Sequence, residues 1–232
     1  PIFTIRYTTN IPRLVGMAGS SAIVTAVLRA LMAFYGVEIP KPQLANLILS
    51  AEKAELGISA GLQDRVIQVY EGVVFMDFSR ELMERQGHGR YEPIAPSLLP
   101  PLYVAFDANR SESSEWVHNP IRTLFEKGDA KVVEAMRGFG ELAERTRELL
   151  LAGRGREIGP LLNANFDLRT TIYPVADGNR AMVMAARRVG ASAKFAGSGG
   201  AIIGTVEDET MYRNLVRALN DIGCVVFKPE IA

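Results

Sequence analysis

An α+β architecture in two parts is what this sequence predicts. Strand-like and helix-like segments interleave in its second half without the regular rhythm of a doubly wound sheet. Residues 93–101 carry four prolines (Pro93, Pro96, Pro100 and Pro101), which marks a boundary near the middle of the chain. With 48% hydrophobic residues among 232, there is enough apolar side chain for a proper core without a metal or disulfide staple.

Along the chain, residues 2–7 alternate with a two-residue period and predict a strand. Residues 8–21 form a turn-rich link containing Pro12, Gly16 and Gly19. Over residues 22–35, Ile23, Val24, Val27, Leu28, Leu31, Met32 and Tyr35 recur at helical spacing, and Gly36 stops that helix. Pro40 and Pro42 punctuate the next link. A second helix is predicted over 44–56, ended by Gly57, then a short helix over 64–70 and a strand over 72–78. Beyond the prolines come a strand over 102–106 and a charged loop with Arg110, Glu112 and Glu115. Amphipathic helices follow around 130–151, 158–172 and 179–189. A glycine-rich loop leads to a strand over 201–206, and a helix over 210–222 and a strand over 224–228 close the chain. The boundary divides the sequence into residues 1–97 and 98–232.

Lys plus Arg and Asp plus Glu both number 26, a formal net charge of zero. That balance removes the electrostatic case for nucleic acid or an anionic membrane. The apolar stretch over 22–37 is interrupted by Arg29 and is too short and polar to span a bilayer. Cys224 is the sole cysteine, so no internal disulfide forms, and a reducing, cytoplasmic setting is the simplest fit. Beside Val225 and Val226 it reads as a small buried hydrophobe. The chain opens at Pro1 inside a predicted strand, so a missing upstream portion is expected.

Three segments carry candidate chemistry. Gly16, Met17, Ala18, Gly19, Ser20, Ser21 and Ala22 lead into a strongly amphipathic helix, whose unpaired N–H groups and dipole favour an anion. The alternative is a plain helix cap by Ser20 or Ser21. No Lys follows the glycines, so this is not a Walker A loop. Next, Glu52 precedes the turn 57–64, which presents Asp64. Two such carboxylates suit a Mg²⁺ ligand and an acceptor for a hydroxyl proton. The alternative, which composition alone favours, is a surface Glu and an Asp capping the following helix. Last, Lys194, Phe195 and Ala196 precede Gly197, Ser198, Gly199 and Gly200, more glycine than a turn needs, which suggests close backbone approach to a ligand.

Together, and in this order, the three segments resemble the GHMP kinase superfamily. Residues 12–22 are similar to its second, phosphate-binding motif, residues 194–200 to its third, and Glu52 and Asp64 to its Mg²⁺ ligand and catalytic Asp. A closer resemblance, over nearly the whole chain, is to the plant-type glucuronokinases. It is carried by Thr9-Asn10-Ile11-Pro12-Arg13, Gly19-Ser20-Ser21-Ala22-Ile23-Val24, Ala60-Gly61-Leu62-Gln63-Asp64-Arg65 and Val74-Phe75-Met76-Asp77-Phe78-Ser79. Gly87-His88-Gly89, Ser97-Leu98-Leu99-Pro100-Pro101, Asn165-Phe166-Asp167-Leu168-Arg169 and Ala185-Ala186-Arg187-Arg188-Val189-Gly190 extend it.

The resemblance implies a two-domain fold: an N-terminal ATP-binding part like domain 2 of ribosomal protein S5, incomplete here, and a ferredoxin-like C-terminal domain. It implies ATP and Mg²⁺ as cofactors and transfer of phosphate to the anomeric hydroxyl of D-glucuronate, giving glucuronate 1-phosphate. Gly16 to Ala22 with Gly197, Ser198 and Gly199 would hold the nucleotide, Ser20, Ser21 and Glu52 the metal, and Asp64 would take the proton. A sugar acid also needs a cation for its carboxylate, and Arg13, Arg65 and Arg169 fall within or beside the motifs. A heptose, fucose or galactose kinase and a non-catalytic nucleotide-binding relative are the alternatives. Met17-Ala18 stands where many superfamily members have Leu-Gly, and the family's first motif is absent. His88 and His118 lie in polar, loop-like stretches and read as turn or surface residues.

Overall fold

The amphipathic run after the first glycine-rich link folds as α1 (Gly19–Tyr35). The computed structural model describes residues 2–12, 15–57, 60–107 and 115–231, without the side chains of 115–119. Gly36 ends α1 in the left-handed region at φ 63°, where its N–H reaches the carbonyls of Met32 and Ala33. The chain divides into two units. One comprises Pro1–Ile11, Ala18–Pro96 and Ile231–Ala232, and the other Pro12–Met17 and Ser97–Glu230.

In the first unit, α1 is followed by α2 (Lys41–Ser50), which starts with Pro42 in its first turn, where a missing N–H costs nothing. The helix widens into a π-turn at Ala51–Glu55. Then come α3 (Leu62–Tyr70), β1 (Val73–Asp77), α4 (Arg80–Gln86) and β2 (Arg90–Ile94). β1 and β2 pair antiparallel from Val73 opposite Ile94 to Asp77 opposite Arg90. Leu44, Ala45, Ile48, Val66 and Val69 form the core, with Val24, Leu28 and Met32 of α1 packed on it. Each fully buried aliphatic side chain here contributes roughly 1.5–3 kcal/mol.

The second unit is built on a four-stranded sheet. Its elements are β3 (Leu102–Asp107), α5 (Glu115–Glu126), α6 (Ala130–Leu151), α7 (Gly159–Ile172) and α8 (Asp177–Arg188). β4 (Lys194–Phe195), β5 (Ala201–Thr205), α9 (Glu209–Asn220) and β6 (Cys224–Phe227) complete it. The strand order is β4-β5-β3-β6 with every neighbouring pair antiparallel. This is the ferredoxin-like order, with the first crossover enlarged to four helices. Tyr103, Ile202, Leu215 and Leu219 are fully buried in its core beside Cys224. Asp129 and Asp208 cap α6 and α9 by accepting from the N–H groups of Val132 and Met211.

Several expectations need correcting. Residues 2–7 form no strand, because a strand requires a ladder and none of the described residues pairs with them. The predicted second helix starts three residues earlier and ends as the π-turn. Three further elements have no counterpart among the predicted helices and strands: α4, β2 with Glu92 and Pro93, and the two-residue β4. α5 falls at the end of the stretch read as a charged loop. Pro93 is tolerated because β2 lies in a two-stranded sheet, where one side has no ladder to break.

Candidate functional site

The first unit holds a buried ionic chain. Glu52 lies on the π-turn and is wholly buried, which excludes a surface role. Ser20 Oγ donates to its Oε1 at 2.9 Å, and Arg65 Nε donates to its Oε2. Arg65 is itself only 4% exposed. From there Nη1 donates to Gly61 O at 3.1 Å and to Asp64 Oδ2 at 3.3 Å. Asp64 sits in the first turn of α3, favourable for a negative charge, and its side chain is 49% exposed. So one end of the chain, Ser20, is exposed, the middle is buried, and the other end, Asp64, reaches solvent.

The loop before α1 explains why Ser20 is available. Ala18 occupies the left-handed region at φ 55°, and no side chain caps the helix. Ser21 is buried and donates back to Ala18 O at 2.9 Å. Neither serine accepts from the first-turn N–H groups, which lack intrahelical acceptors by construction. The structure therefore brings Ser20 to Glu52 and leaves Ser21 shaping the turn. Asp64 is not the cap of α3, since Gly61 holds that position. Arg65 faces inward and is spent on Glu52, Asp64 and Gly61, leaving it poorly placed for a substrate carboxylate.

In the second unit, residues 15–16 pack backbone to backbone against the turn 197–200. A Cβ on Gly16 would lie 2.6 Å from Gly199 O, and one on Gly197 would collide with Gly16 O. Gly200, at φ 80°, would bring a Cβ within 3.0 Å of Val15 Cα. The glycines thus serve a loop-on-loop contact before any ligand is considered. Asn179 Oδ1 accepts from Gly200 N–H at 3.1 Å, fixing the turn to α8.

Arg169, on α7, donates from Nη2 to Ser198 O at 3.0 Å, and its Nε is buried without an acceptor. Its guanidinium lies 4.6 Å from the Tyr173 ring centroid and 5.2 Å from that of Phe195. Burial lowers its pKa from the ordinary arginine value. Beside it, Lys194 Nζ donates to Phe195 O at 2.8 Å. Burial, and secondarily the Arg169 charge, pushes the Lys194 ammonium down to about 8. In sequence Lys194 stands only as the start of a motif. The signal that identifies it is a lysine amid Ala191, Ser192, Ala193 and Phe195 with no acid beside it in sequence. Arg13 and the side chain of His118 lie outside the described residues, and His88 is occupied locally, 2.8 Å from Gly89 O.

A pH effect follows from Lys194. Its folded value lies below the ordinary 10.5, so the unfolded chain holds the proton more tightly. Stability is expected to rise as pH increases from about 8 towards about 10, as the cost of burying the charge is lifted. Urea midpoints across that range should show the increment, and Lys194→Met should remove it. An identical slope in both proteins would contradict this assignment.

Among the described residues, no group of three or more His, Cys, Asp and Glu side chains forms a metal cage, and no helix is long and apolar enough to cross a membrane. Residues 1–72 match the family of GHMP kinases N terminal domains. Glucuronokinase 1 of Arabidopsis thaliana is 48% identical over 206 residues, covering 87% of this chain and 56% of that protein. Probable glucuronokinase 2 of the same plant is 46% identical over 207 residues, with the same coverage. The chain thus spans little more than half the length of these curated relatives. In fold it is similar to mevalonate kinase of L. major, solved with R-mevalonate, at a TM-score of 0.70 and 20% identity, covering 93% of this chain and 67% of that one.

Proposed function

This chain belongs to the GHMP kinase superfamily, and we propose that it serves an ATP-dependent sugar kinase acting on the anomeric hydroxyl of D-glucuronate. The observation that carries the reading is the chain Ser20–Glu52–Arg65–Asp64, which joins an uncapped helix start to a half-exposed carboxylate. The similarity to the two plant glucuronokinases supports the choice of acceptor.

In this reading the N–H groups at the start of α1 hold phosphoryl oxygens, and residues 16–22 and the turn 197–199 are each a nucleotide-binding segment. Ser20 and Glu52 offer a hydroxyl and a carboxylate 2.9 Å apart, an all-oxygen pair that suits magnesium completing its shell with water and phosphate. Each Glu52 oxygen retains a second lone pair beyond the bond it now accepts. Bound there, magnesium would supply charge to offset that on the phosphoryl oxygens. Asp64 accepts the sugar hydroxyl's proton as its oxygen attacks, and Arg65 holds Asp64 and Glu52 in fixed relation. Alignment and charge stabilisation supply most of the rate gain, since phosphoryl transfer needs little covalent help. Residues 1–97 are taken as the ATP-binding domain, and residues 98–232 as the C-terminal domain.

The test is ADP release by the whole kinase across D-glucuronate, D-galacturonate, galactose, fucose and a heptose. D-glucuronate is expected to give the highest kcat/KM, at least about tenfold above the neutral sugars. A neutral sugar in first place would move the assignment to another sugar kinase. Nucleotide binding with no ADP release from any sugar would instead make the chain a non-catalytic binder.

A further inference from the structure

Arg169 and Lys194 are two cations of the second unit that share one neighbourhood and have no carboxylate partner among the described residues. Arg187, on α8, shows the contrast. Its Nη1 meets Asp167 Oδ1 at 2.7 Å, and its Nη2 meets two backbone carbonyls. Asp167 is thereby committed. Arg169 and Lys194 each donate only to a carbonyl, of Ser198 and Phe195 respectively. A dipole offsets part of a buried charge, but neighbouring like charges without an anion remain costly. Arg169 bears that cost packed against the rings of Tyr173 and Phe195 and tied to the glycine turn. A charge kept there unneutralised and beside a second cation is arranged for an incoming anion rather than for stability.

We propose that the Arg169 guanidinium and the Lys194 ammonium form a two-cation site for one oxyanion, a carboxylate or phosphoryl group, at the turn 197–200. Two sources share this chemistry: the carboxylate of a sugar acid and the phosphates of a nucleotide. Naming D-glucuronate as a source rests on the sugar-kinase reading above; the site itself does not. A planar guanidinium offers parallel N–H groups to either anion, and the ammonium adds a point charge with two further donors. Occupation also offers the orphaned cations the counter-charge that the fold withholds.

Calorimetric titration of this chain tests the proposal by binding rather than turnover, so a dead kinase and an absent site give different results. The probes are D-glucuronate, D-glucose as its neutral counterpart, ATP without metal, and inorganic phosphate. Lys194→Met, which leaves the Arg169–Ser198 bond intact, is expected to weaken at least one oxyanion probe tenfold or more. Arg169→Met should do the same, and Arg169→Lys should recover part of the loss. D-glucose binding should not respond. Loss confined to D-glucuronate assigns the site to the sugar acid, and loss confined to ATP and phosphate assigns it to the nucleotide. The proposal is overturned if no oxyanion binds the unmodified chain. It is equally overturned if Lys194→Met, folded by circular dichroism, binds every probe as before. Should Arg169→Met not fold, Lys194→Met and Arg169→Lys decide the matter.

Discussion

Asp64→Asn in the whole kinase is expected to lower kcat by roughly 10²–10⁴ while leaving ATP affinity almost unchanged. The substitution keeps size and shape, and an amide oxygen can still accept from Arg65 Nη1, 3.3 Å from the carboxylate in this structure. What it removes is a group able to take a proton from the sugar hydroxyl. Arg65 remains anchored by Glu52 and Gly61, so the turn before α3 should hold its place. Steady-state turnover on D-glucuronate, with nucleotide binding measured separately, checks this. An unchanged kcat with wild-type affinity would remove Asp64 from the reaction. A loss of ATP affinity equal to the loss in turnover would make it a binding residue.

The helices were legible because their signals are local. The apolar stripe from Ile23 to Tyr35 and the stop at Gly36 needed no knowledge of partners, and α1 begins three residues before the predicted start at Ala22 because Gly19, Ser20 and Ser21 add a polar first turn. Strands were legible only where they are apolar runs. β3, β5 and β6 stood out, whereas β2 carries Arg90, Glu92 and Pro93 and becomes a strand solely through its register with β1. Residues 2–7 failed in the opposite direction, having the alternation without the partner. The candidate site was partly legible for a related reason. Spacing named Glu52 and Asp64, but only the fold shows that a buried guanidinium joins them, since nothing local distinguishes Arg65 from a solvated arginine on α3. Likewise the glycines of the turn 197–200 announce close backbone approach to a ligand, while the atoms that approach them in this structure, those of Val15 and Gly16, lie far away in sequence.

Glu52→Ala is expected to destabilise the protein by about 3–5 kcal/mol, the cost of stranding a buried charge. Arg65 is 4% exposed, so its guanidinium would lose its main counter-charge with little access to water. Glu52→Gln should cost less, because an amide still accepts one hydrogen bond, though it no longer neutralises the cation. Replacing both members, Glu52→Met with Arg65→Met, should recover much of the loss, since a buried pair owes little of its worth to net attraction after desolvation. Urea unfolding of the unmodified protein, Glu52→Met, Arg65→Met and the double variant, as a double-mutant cycle, measures that coupling. Full additivity would show that the two side chains do not depend on one another. The recovered double mutant carries the functional point. If Ser20–Glu52–Arg65–Asp64 existed for stability alone, an apolar pair would serve as well, and turnover in the whole kinase would survive it. The expected result is a well-folded protein with no detectable turnover, because the carboxylate offered beside Ser20 and the cation holding Asp64 have both gone.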